Sequence, residues 1–330
     1  MTPIRRIAAL VIVEVLVVSL AACSTTVPTS PSEFPPTAAP VPSITAGSGA
    51  SPSVSPSGDA LPSVTASPST SAPASTEAPM PPAPAQTGSG ADSGSGRWKP
   101  SVGASWQWQL SGPLDLSVDA QVYDVDLYDT SAKQVSQLQA QGHKVICYLS
   151  AGSYESYRPD SNQFPSAVLG SELDGWPDER WLDIRQLDVL MPIMAARMDL
   201  CAEKGFDAVE PDNVDGYQND SGFSLTAKDQ AAYNRALADL AHERGLAVGL
   251  KNDLDQVALL QPVFDFAVNE QCFEYDECSV LSAFINAGKP VFHVEYDLPL
   301  SSFCPTTEKL KFSSLRKSLD LDAAREPCPS

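Results

Sequence analysis

The chain has 330 residues and a formal net charge of −20 at pH 7, from 41 acidic and 21 basic residues. Because nucleic acid binds proteins that carry excess positive charge, this balance argues against nucleic acid as a partner. Residues 98–330 hold 36 of the acidic and 18 of the basic residues, so a cationic ligand is favoured there.

The first 23 residues have the pattern of an export signal. An arginine pair precedes an apolar run at 7–20, which is shorter than the ~20 residues of a membrane-spanning helix. The run ends in Leu-Ala-Ala-Cys at Cys23, which resembles a bacterial lipobox and predicts cleavage before Cys23 and lipidation of its thiol. Ordinary cleavage beside an incidental cysteine is the alternative. With lipidation, the protein would be a membrane-anchored lipoprotein facing the cell exterior.

Residues 24–97 are dominated by Ser, Thr, Pro, Ala and Gly, and end in a Gly/Ser-rich stretch. A segment of this composition cannot bury enough apolar surface to offset its chain entropy, so we predict a disordered linker. Residues 98–330 then form the folded part, which is long enough for one domain with a sizeable core.

The folded part alternates short apolar runs with helical patterns. The runs that predict strands are 105–110, 120–126, 144–150, 180–185, 206–213, 246–253, 264–272 and 290–297. The segments that predict helices are 131–142, 187–205, 227–245, 253–260 and 277–289. Eight strands interleaved with helices predict an α/β fold, a (β/α)₈ TIM barrel, with a doubly wound open sheet as the runner-up.

Polar residues gather at the carboxyl ends of these predicted strands, while the opposite ends begin with apolar residues. In a TIM barrel the carboxyl ends meet around one cleft, where the catalytic groups lie. The polar residues selected there are Asp124, Asp126, Tyr148, Tyr154, Glu210, Asp212, Asn213, Asp215, Lys251, Asn252, Glu270 and Glu295. For Glu295 and the nearby Asp297, the sequence leaves open whether they bind substrate or only solvate a rim.

A cleft rich in carboxylates suits glycoside hydrolysis. One carboxyl group is kept protonated and donates to the leaving oxygen, and a second stays ionised as nucleophile or base. A serine hydrolase is disfavoured because the chain lacks a GxSxG motif, and no phosphate-binding glycine-rich loop is present. An oxygen-ligand metal site at Glu210, Asp212 and Asp215 would not match EF-hand spacing.

Six cysteines lie beyond Cys23, and an even number in an exported chain predicts three disulfides. Proximity in sequence favours the pairs Cys272–Cys278 and Cys304–Cys328, which leaves Cys147 with Cys201. Fifteen pairings of six cysteines are possible, so the alternatives stay open. A zinc site is disfavoured because neither a CxxC pair nor clustered histidines accompany the cysteines.

Five segments taken in order resemble one known family. They are YLSAGSYE, GFDAVEPDNVDGY, GLKND, FDFAVNEQC and PVFHVEY, which lie between residues 98 and 297. Together they resemble the endo-α-1,4-polygalactosaminidases of glycoside hydrolase family 114. The resemblance implies a (β/α)₈ barrel that cuts within α-1,4-linked galactosamine polymers. The segment from Leu298 onward lies outside the resemblance.

The resemblance also implies roles for single residues. The catalytic carboxylates fall on Asp212 and Glu270, which we hypothesise to be the nucleophile and the general acid/base. The residues implied to hold the substrate are Asp124, Asp126, Tyr148, Tyr154, Glu210, Asn213, Asp215, Lys251 and Asn252. A galactosamine polymer is cationic near neutral pH, which agrees with the acidic domain. No cofactor or metal is implied.

Several alternatives remain at this stage. Asp215 is a rival to Asp212 as the catalyst, and Glu270 could simply pair with Lys251. The chain could also be a sugar-binding surface lipoprotein without turnover, or a hydrolase of a different exopolysaccharide. Intact carboxylates at 212 and 270 argue against the binding lipoprotein.

Overall fold

A computed structural model describes residues 96–329 of the chain. The predicted signal peptide, the lipidation site at Cys23 and nearly all of the predicted linker lie outside the described residues. Among residues 96–329, no helix is both long and apolar enough to cross a membrane.

Twelve strands and six α-helices are present in the described residues. The strands are β1 Trp106–Gln109, β2 Val122–Asp126, β3 Lys144–Ser150, β4 Ser153–Glu155, β5 Leu169–Leu173, β6 Trp176–Leu182, β7 Ala208–Asp212, β8 Ala247–Lys251, β9 Phe266–Glu270, β10 Val291–Glu295, β11 Ser313–Arg316 and β12 Glu326–Pro327. The helices are α1 Ala132–Ala140, α2 Leu187–Lys204, α3 Ala227–Glu243, α4 Val257–Leu260, α5 Ser282–Asn286 and α6 Leu300–Lys309.

The main sheet has the order β1-β2-β3-β7-β8-β9-β10-β11-β12. Its first eight strands pair in parallel, and only β12 is antiparallel to its neighbour. Eight parallel strands that follow one another in chain order confirm the predicted TIM-barrel class. The helices begin and end at signals visible in the sequence: α3 has a capping box at Thr226 and Asp229, and α2 ends at the left-handed Gly205.

One predicted barrel strand is wrong. The run at 180–185 was assigned to the barrel, but β6 lies in a separate antiparallel sheet of order β4-β6-β5. A half-buried antiparallel strand and a barrel strand have similar short apolar patterns, so periodicity did not separate them. The eighth barrel strand is β11 instead, in the segment beyond Leu298 that the family resemblance did not reach.

The strand side chains divide the core into two layers. Alternate residues point into the barrel, where they form an aromatic interior that includes Trp106, Phe266 and Phe292. The other alternate residues pack outward against the helices. Asp124, Tyr148 and Asp212 occupy further inward-facing positions of β2, β3 and β7, so their side chains point towards the cleft.

The C-terminal tail bridges the seam between β1 and β11. The carbonyl of Leu321 accepts hydrogen bonds from the backbone amides of Leu110 and Ser111. The side chain of Gln107 donates to the Ala323 carbonyl, and Arg325 donates to the Trp106 carbonyl. The tail therefore supplies the backbone partners that a direct β1–β11 pairing would otherwise provide.

Three disulfides are present within residues 96–329, namely the two pairs that proximity in sequence favours and the pair that remained. Cys147–Cys201 ties β3 to α2, while Cys304–Cys328 ties α6 to the tail. Cys272–Cys278 closes the short loop after β9. Each crosslink reduces the conformational freedom of the unfolded chain and so favours the folded state.

Candidate active site

Three neighbouring barrel strands end in charged residues that meet at one point. Asp212, Lys251 and Glu270 are the last residues of β7, β8 and β9. The residue after each of them, Asn213, Asn252 or Gln271, has a positive φ of 48–61°. This conformation is costly for residues other than glycine, although asparagine tolerates it. It turns the chain sharply at the rim, directly after each charged side chain.

Lys251 is the centre of the cluster. Its Nζ donates to Oδ1 of Asp212 at 3.0 Å and lies 3.2 Å from Oε2 of Glu270 and 3.4 Å from Oε1 of Glu210. The same Nζ lies 4.7 Å from the centre of the Trp108 ring, over its face. Lys251 is only 3% exposed, so one buried cation links three carboxylates.

Asp212 receives donors on both oxygens. The Tyr148 hydroxyl donates to Oδ2 at 2.7 Å, and the Asn213 backbone amide donates to Oδ1 at 2.7 Å. Burial alone would raise the pKa of Asp212, but Lys251, Tyr148 and Asn213 together hold it below the ordinary value. Asp212 is therefore ionised at neutral pH.

Glu270 is held by a different set of donors. The Tyr296 hydroxyl donates to Oε1, and the Asn252 side-chain amide donates to Oε2 at 3.1 Å. The Asn252 side-chain oxygen in turn accepts from the Glu270 backbone amide at 3.0 Å. The Glu270 side chain is 25% exposed, so it is fixed in place and still open to the cleft.

Asp124 and Glu210 lie beneath this cluster and are fully buried. Apart from each other, the two carboxyl groups have no hydrogen-bond partner among the described residues. Burial together with the neighbouring Glu210 raises the pKa of Asp124 well above its ordinary range. Burial also raises the pKa of Glu210 to about 7, against the opposing effect of Lys251. If Asp124 carries a proton and donates it in a hydrogen bond to Glu210, both carboxyl groups have a partner.

The loop after β3 packs tightly against the loop after β7. The Asn213 side-chain amide donates to the hydroxyls of Ser150 and Ser153 at 3.0 and 3.2 Å. A Cβ at Gly152 would lie 1.6 Å from the Asn213 carbonyl oxygen, so only glycine fits there. The glycine in the YLSAGSYE segment thus allows the backbone approach that positions Asn213.

The structure brings seven of the residues selected from the sequence into this one cluster. They are Asp124, Tyr148, Glu210, Asp212, Lys251, Asn252 and Glu270. Asn213 adjoins them through its backbone amide.

Four other selected residues, Asp126, Tyr154, Asp215 and Glu295, have different surroundings. Asp126 forms a two-pronged ion pair with Arg158, at 3.0 and 2.6 Å, and the Tyr154 ring packs edge-on against Phe164. Asp215 begins the short turn after β7 and is one of the charges that raise the pKa of Asp253, to about 8, after the larger effect of burial.

Glu295 points away from the cleft. It is fully buried. Its Oε1 accepts a hydrogen bond from the Phe273 backbone amide at 2.8 Å and lies 2.9 Å from His293 Nε2. The β10 residues that point into the barrel are Phe292 and Val294, so Glu295 lies on the opposite face of the strand. A polar strand end indicates the rim but does not show which way each side chain points.

Two residues of the cluster were not selected from the sequence. Tyr296 contacts Glu270, and Trp108 contacts Lys251. Spacing indicates the direction of Tyr296: it stands two residues after the inward-facing Val294, so its side chain points to the same face. Trp108 has the same even spacing from Trp106.

Comparison with known proteins identifies the family. Residues 88–330 match the profile described as glycoside-hydrolase family GH114. The chain belongs to family GH114. It is therefore a glycoside hydrolase. No curated protein matches the chain.

Solved structures agree with this assignment. The GH114 chain is 41% identical to Aspergillus fumigatus Ega3, solved in complex with galactosamine, with a TM-score of 0.68. That match covers 71% of this chain and 98% of Ega3. The glycoside hydrolase domain of PelA from Pseudomonas aeruginosa is 14% identical, with a TM-score of 0.55, over 67% of this chain and 97% of that domain. At that identity, PelA shows a shared fold only.

Proposed function

We propose that this GH114 hydrolase cuts within chains of α-1,4-linked galactosamine, with Asp212 and Glu270 as its catalytic carboxylates. The observation that carries the proposal is the contact of one buried ammonium, Lys251, with both carboxylates at the open end of the barrel. The two groups have unlike surroundings, which is the usual basis for dividing acid and nucleophile roles.

Asp212 has the properties of the nucleophile. Its lowered pKa keeps it ionised, and its hydrogen bonds fix the direction of the carboxylate. In the first step Asp212 attacks the anomeric carbon while Glu270 gives its proton to the departing glycosidic oxygen. In the second step Glu270 takes a proton from water, which displaces Asp212 and releases the sugar. The enzyme is regenerated with Glu270 protonated.

The spacing of the two carboxylates is compatible with this two-step route. Asp212 Oδ1 and Glu270 Oε2 lie 3.0 and 3.2 Å from Lys251 Nζ, so these oxygens are at most 6.2 Å apart, the sum of the two distances. Retaining enzymes have carboxyl groups roughly 5–5.5 Å apart, whereas inverting enzymes have about 6.5–9.5 Å to leave room for water. These ranges are measured between whole carboxyl groups, and the bound holds only for the two oxygens that contact Lys251; it is compatible with the retaining route.

Charge and relatives both support a galactosamine polymer as the substrate. Its free amines are cationic near neutral pH, and residues 98–330 have twice as many acidic as basic residues. The related Ega3 was solved with galactosamine. An acidic domain concentrates a cationic chain around its cleft and orients it before chemistry.

The test is to incubate the protein with a de-N-acetylated α-1,4-galactosamine polymer and follow the products by mass spectrometry. We expect oligomers from the wild type and none above background from Glu270→Gln and Asp212→Asn. Binding of the polymer without cleavage by folded wild type would instead support a sugar-binding protein. Neither binding nor cleavage would point to a different exopolysaccharide.

We also propose that the domain acts outside the cytoplasm, anchored through a lipid on Cys23 and held away from the membrane by residues 24–97. Three disulfides in one domain are typical of an oxidising compartment, which supports the export pattern in the sequence. A Cys23→Ala variant should fail to incorporate radiolabelled palmitate and leave the membrane fraction. Retention of both label and membrane association by Cys23→Ala would contradict the lipid anchor.

A further inference from the structure

A cavity of about 540 Å³ opens beside the catalytic cluster, at the carboxyl ends of β10 and β11. Its wall consists of Tyr296 and Asp297, the segment 316–320 after β11 and the tail segment 324–326. Pockets that bind small ligands commonly have volumes of about 300–1,000 Å³. The cavity is thus large enough for a sugar residue, and none of the residues selected from the family resemblance lines it.

Tyr296 connects the cavity to the chemistry. Its hydroxyl donates to Glu270, and the residue forms part of the cavity wall. The strands follow the order β7-β8-β9-β10-β11 around the sheet, so Asp212 and the cavity lie on opposite sides of Glu270. A substrate chain that crosses the rim from Asp212 past Glu270 runs next into this cavity.

The general acid defines which sugar occupies that side. Glu270 gives its proton to the oxygen of the departing sugar, so the leaving-group sugar lies on the Glu270 side of the bond that breaks. The sugar that Asp212 attacks lies on the other side. The position of the cavity therefore matches the leaving-group sugar.

The basic residues of the cavity wall already have partners within the protein. Arg316 pairs with Glu326. Lys317 donates to the carbonyls of Asp322 and Ala324 at 2.6 and 2.7 Å, and holds the tail segment in place. The Arg325 guanidinium is likewise directed to the backbone, where it donates to the Trp106 and Asp119 carbonyls.

Two acidic residues of the wall differ from these basic residues in having no partner within residues 96–329. Asp297 and Asp320 are both exposed, and the structure gives neither a hydrogen bond nor an ion pair within residues 96–329. The neighbouring Leu319 is 46% exposed and provides an apolar surface. Free carboxylates beside an apolar surface suit a sugar that carries an ammonium group.

We propose that this cavity binds the leaving-group sugar and that Asp297 and Asp320 bind its ammonium group. The inference rests on the proposed galactosamine substrate and adds a specificity for the free amine on one defined side of the scissile bond. It also gives the C-terminal segment a role in substrate selection, in addition to its role in closing the barrel.

The experiment uses a partly N-acetylated α-1,4-galactosamine polymer. Cleavage turns the leaving-group sugar into a new non-reducing end and the attacked sugar into a new reducing end. The products of the wild type and of the Asp297→Asn/Asp320→Asn double variant are sequenced by mass spectrometry, and the free-amine fraction is counted at each end. Asp239 is an exposed aspartate on α3, and Asp239→Asn is the control for loss of an exposed carboxylate outside the cavity.

We expect the wild type and Asp239→Asn to favour free amines at new non-reducing ends. In the double variant that preference should fall to the polymer average, while the preference at new reducing ends stays unchanged. The KM for the fully de-N-acetylated polymer should rise about fivefold, since exposed ion pairs contribute modestly. Thermal denaturation should give equal melting temperatures for both variants and the wild type.

Two results would contradict the proposed subsite but leave the proposed function intact. One is cleavage by the wild type with no amine preference at non-reducing ends. The other is a double variant whose preference for free amines is either unchanged at new non-reducing ends or weakened equally at both kinds of end. A wild type that cleaves no galactosamine polymer would overturn the proposed function, and the subsite together with it.

Discussion

Asp212 at the rim of the barrel is partly exposed and Asp124 beneath it is fully buried, and within this one cluster their pKa values move in opposite directions. Asp212 accepts from Tyr148 and Lys251, and its pKa is lowered. Asp124 accepts no hydrogen bond from a donor in the described residues, and its pKa is raised. Burial alone therefore does not decide the charge of a carboxyl group here; the donors around it do.

The largest effect should come from removing the rim carboxylates. Asp212→Asn abolishes the nucleophile and Glu270→Gln abolishes the proton donor, so kcat should fall about 10³-fold or more in each. Initial rates on the polymer give kcat, and titration calorimetry checks that binding survives. Activity within tenfold of the wild type in either variant would remove that residue from the chemistry.

Lys251→Met should be the next most damaging change. Without the ammonium the pKa of Asp212 rises, so the nucleophile stays protonated to higher pH and the acid limb of kcat/KM moves upward. We expect kcat to fall about 10²-fold, as when one preorganised electrostatic group is lost. The control is Lys144→Met, whose ammonium pairs with Asp207. An acid limb in its wild-type position would contradict the role given to Lys251.

Removing the tyrosine donors should have a smaller effect. Tyr296→Phe loses one hydrogen bond to Glu270, and Tyr148→Phe loses one to Asp212. Because a hydrogen bond to a charged group contributes about 1.5–3 kcal/mol, kcat/KM should fall at least about tenfold in Tyr148→Phe. The fall should be smaller in Tyr296→Phe, since Glu270 is uncharged when it acts as the acid. Steady-state kinetics measure the loss. Wild-type kinetics in both variants would show that Lys251 alone, without the two tyrosines, prepares Asp212 and Glu270 for catalysis.

The smallest effect on activity should come from Asp124→Asn, because the amide resembles the protonated acid already present. We expect kcat to stay within about threefold of the wild type, since the donor to Glu210 is retained. A loss comparable to that of Asp212→Asn would show that Asp124 works as an anion, contrary to its raised pKa.

The same variant should change how stability depends on pH. An acid with a raised pKa in the folded state keeps its proton while the unfolded chain loses it, so stability falls as pH rises between the two values. Asp124→Asn removes one such group, so as pH rises above about 4, the ordinary pKa of an aspartate, its melting temperature should fall less steeply than that of the wild type. An unchanged slope in thermal denaturation would contradict the protonation assigned to Asp124.

Much of the site follows from the sequence because barrel topology converts chain order into position. Once β7, β8 and β9 are recognised, their last residues, Asp212, Lys251 and Glu270, must be neighbours. The sequence does not show which way Glu295 points, or that the run at 180–185 lies outside the barrel. Strand ends locate the rim but not the inward face, and a short apolar run does not reveal its pairing partner.

The cavity beside Tyr296 could not be predicted at all. Its wall combines the ends of β10 and β11 with a tail that returns along the seam, fixed by hydrogen bonds from Leu110 and Ser111 to Leu321. No spacing in the sequence specifies such long-range contacts. The polar composition of 316–326 resembles an ordinary surface loop, and only the fold gives it a position next to Glu270.

The most direct test of the central claim, that ionised Asp212 attacks while Glu270 donates, is the configuration of the first product. Proton NMR during the first minutes of digestion reports the anomer at the new reducing end before it equilibrates. Attack by Asp212 followed by water predicts that the α-anomer forms first, since two displacements retain the configuration. Initial formation of the β-anomer would mean direct attack by water and would contradict the role of Asp212 as nucleophile.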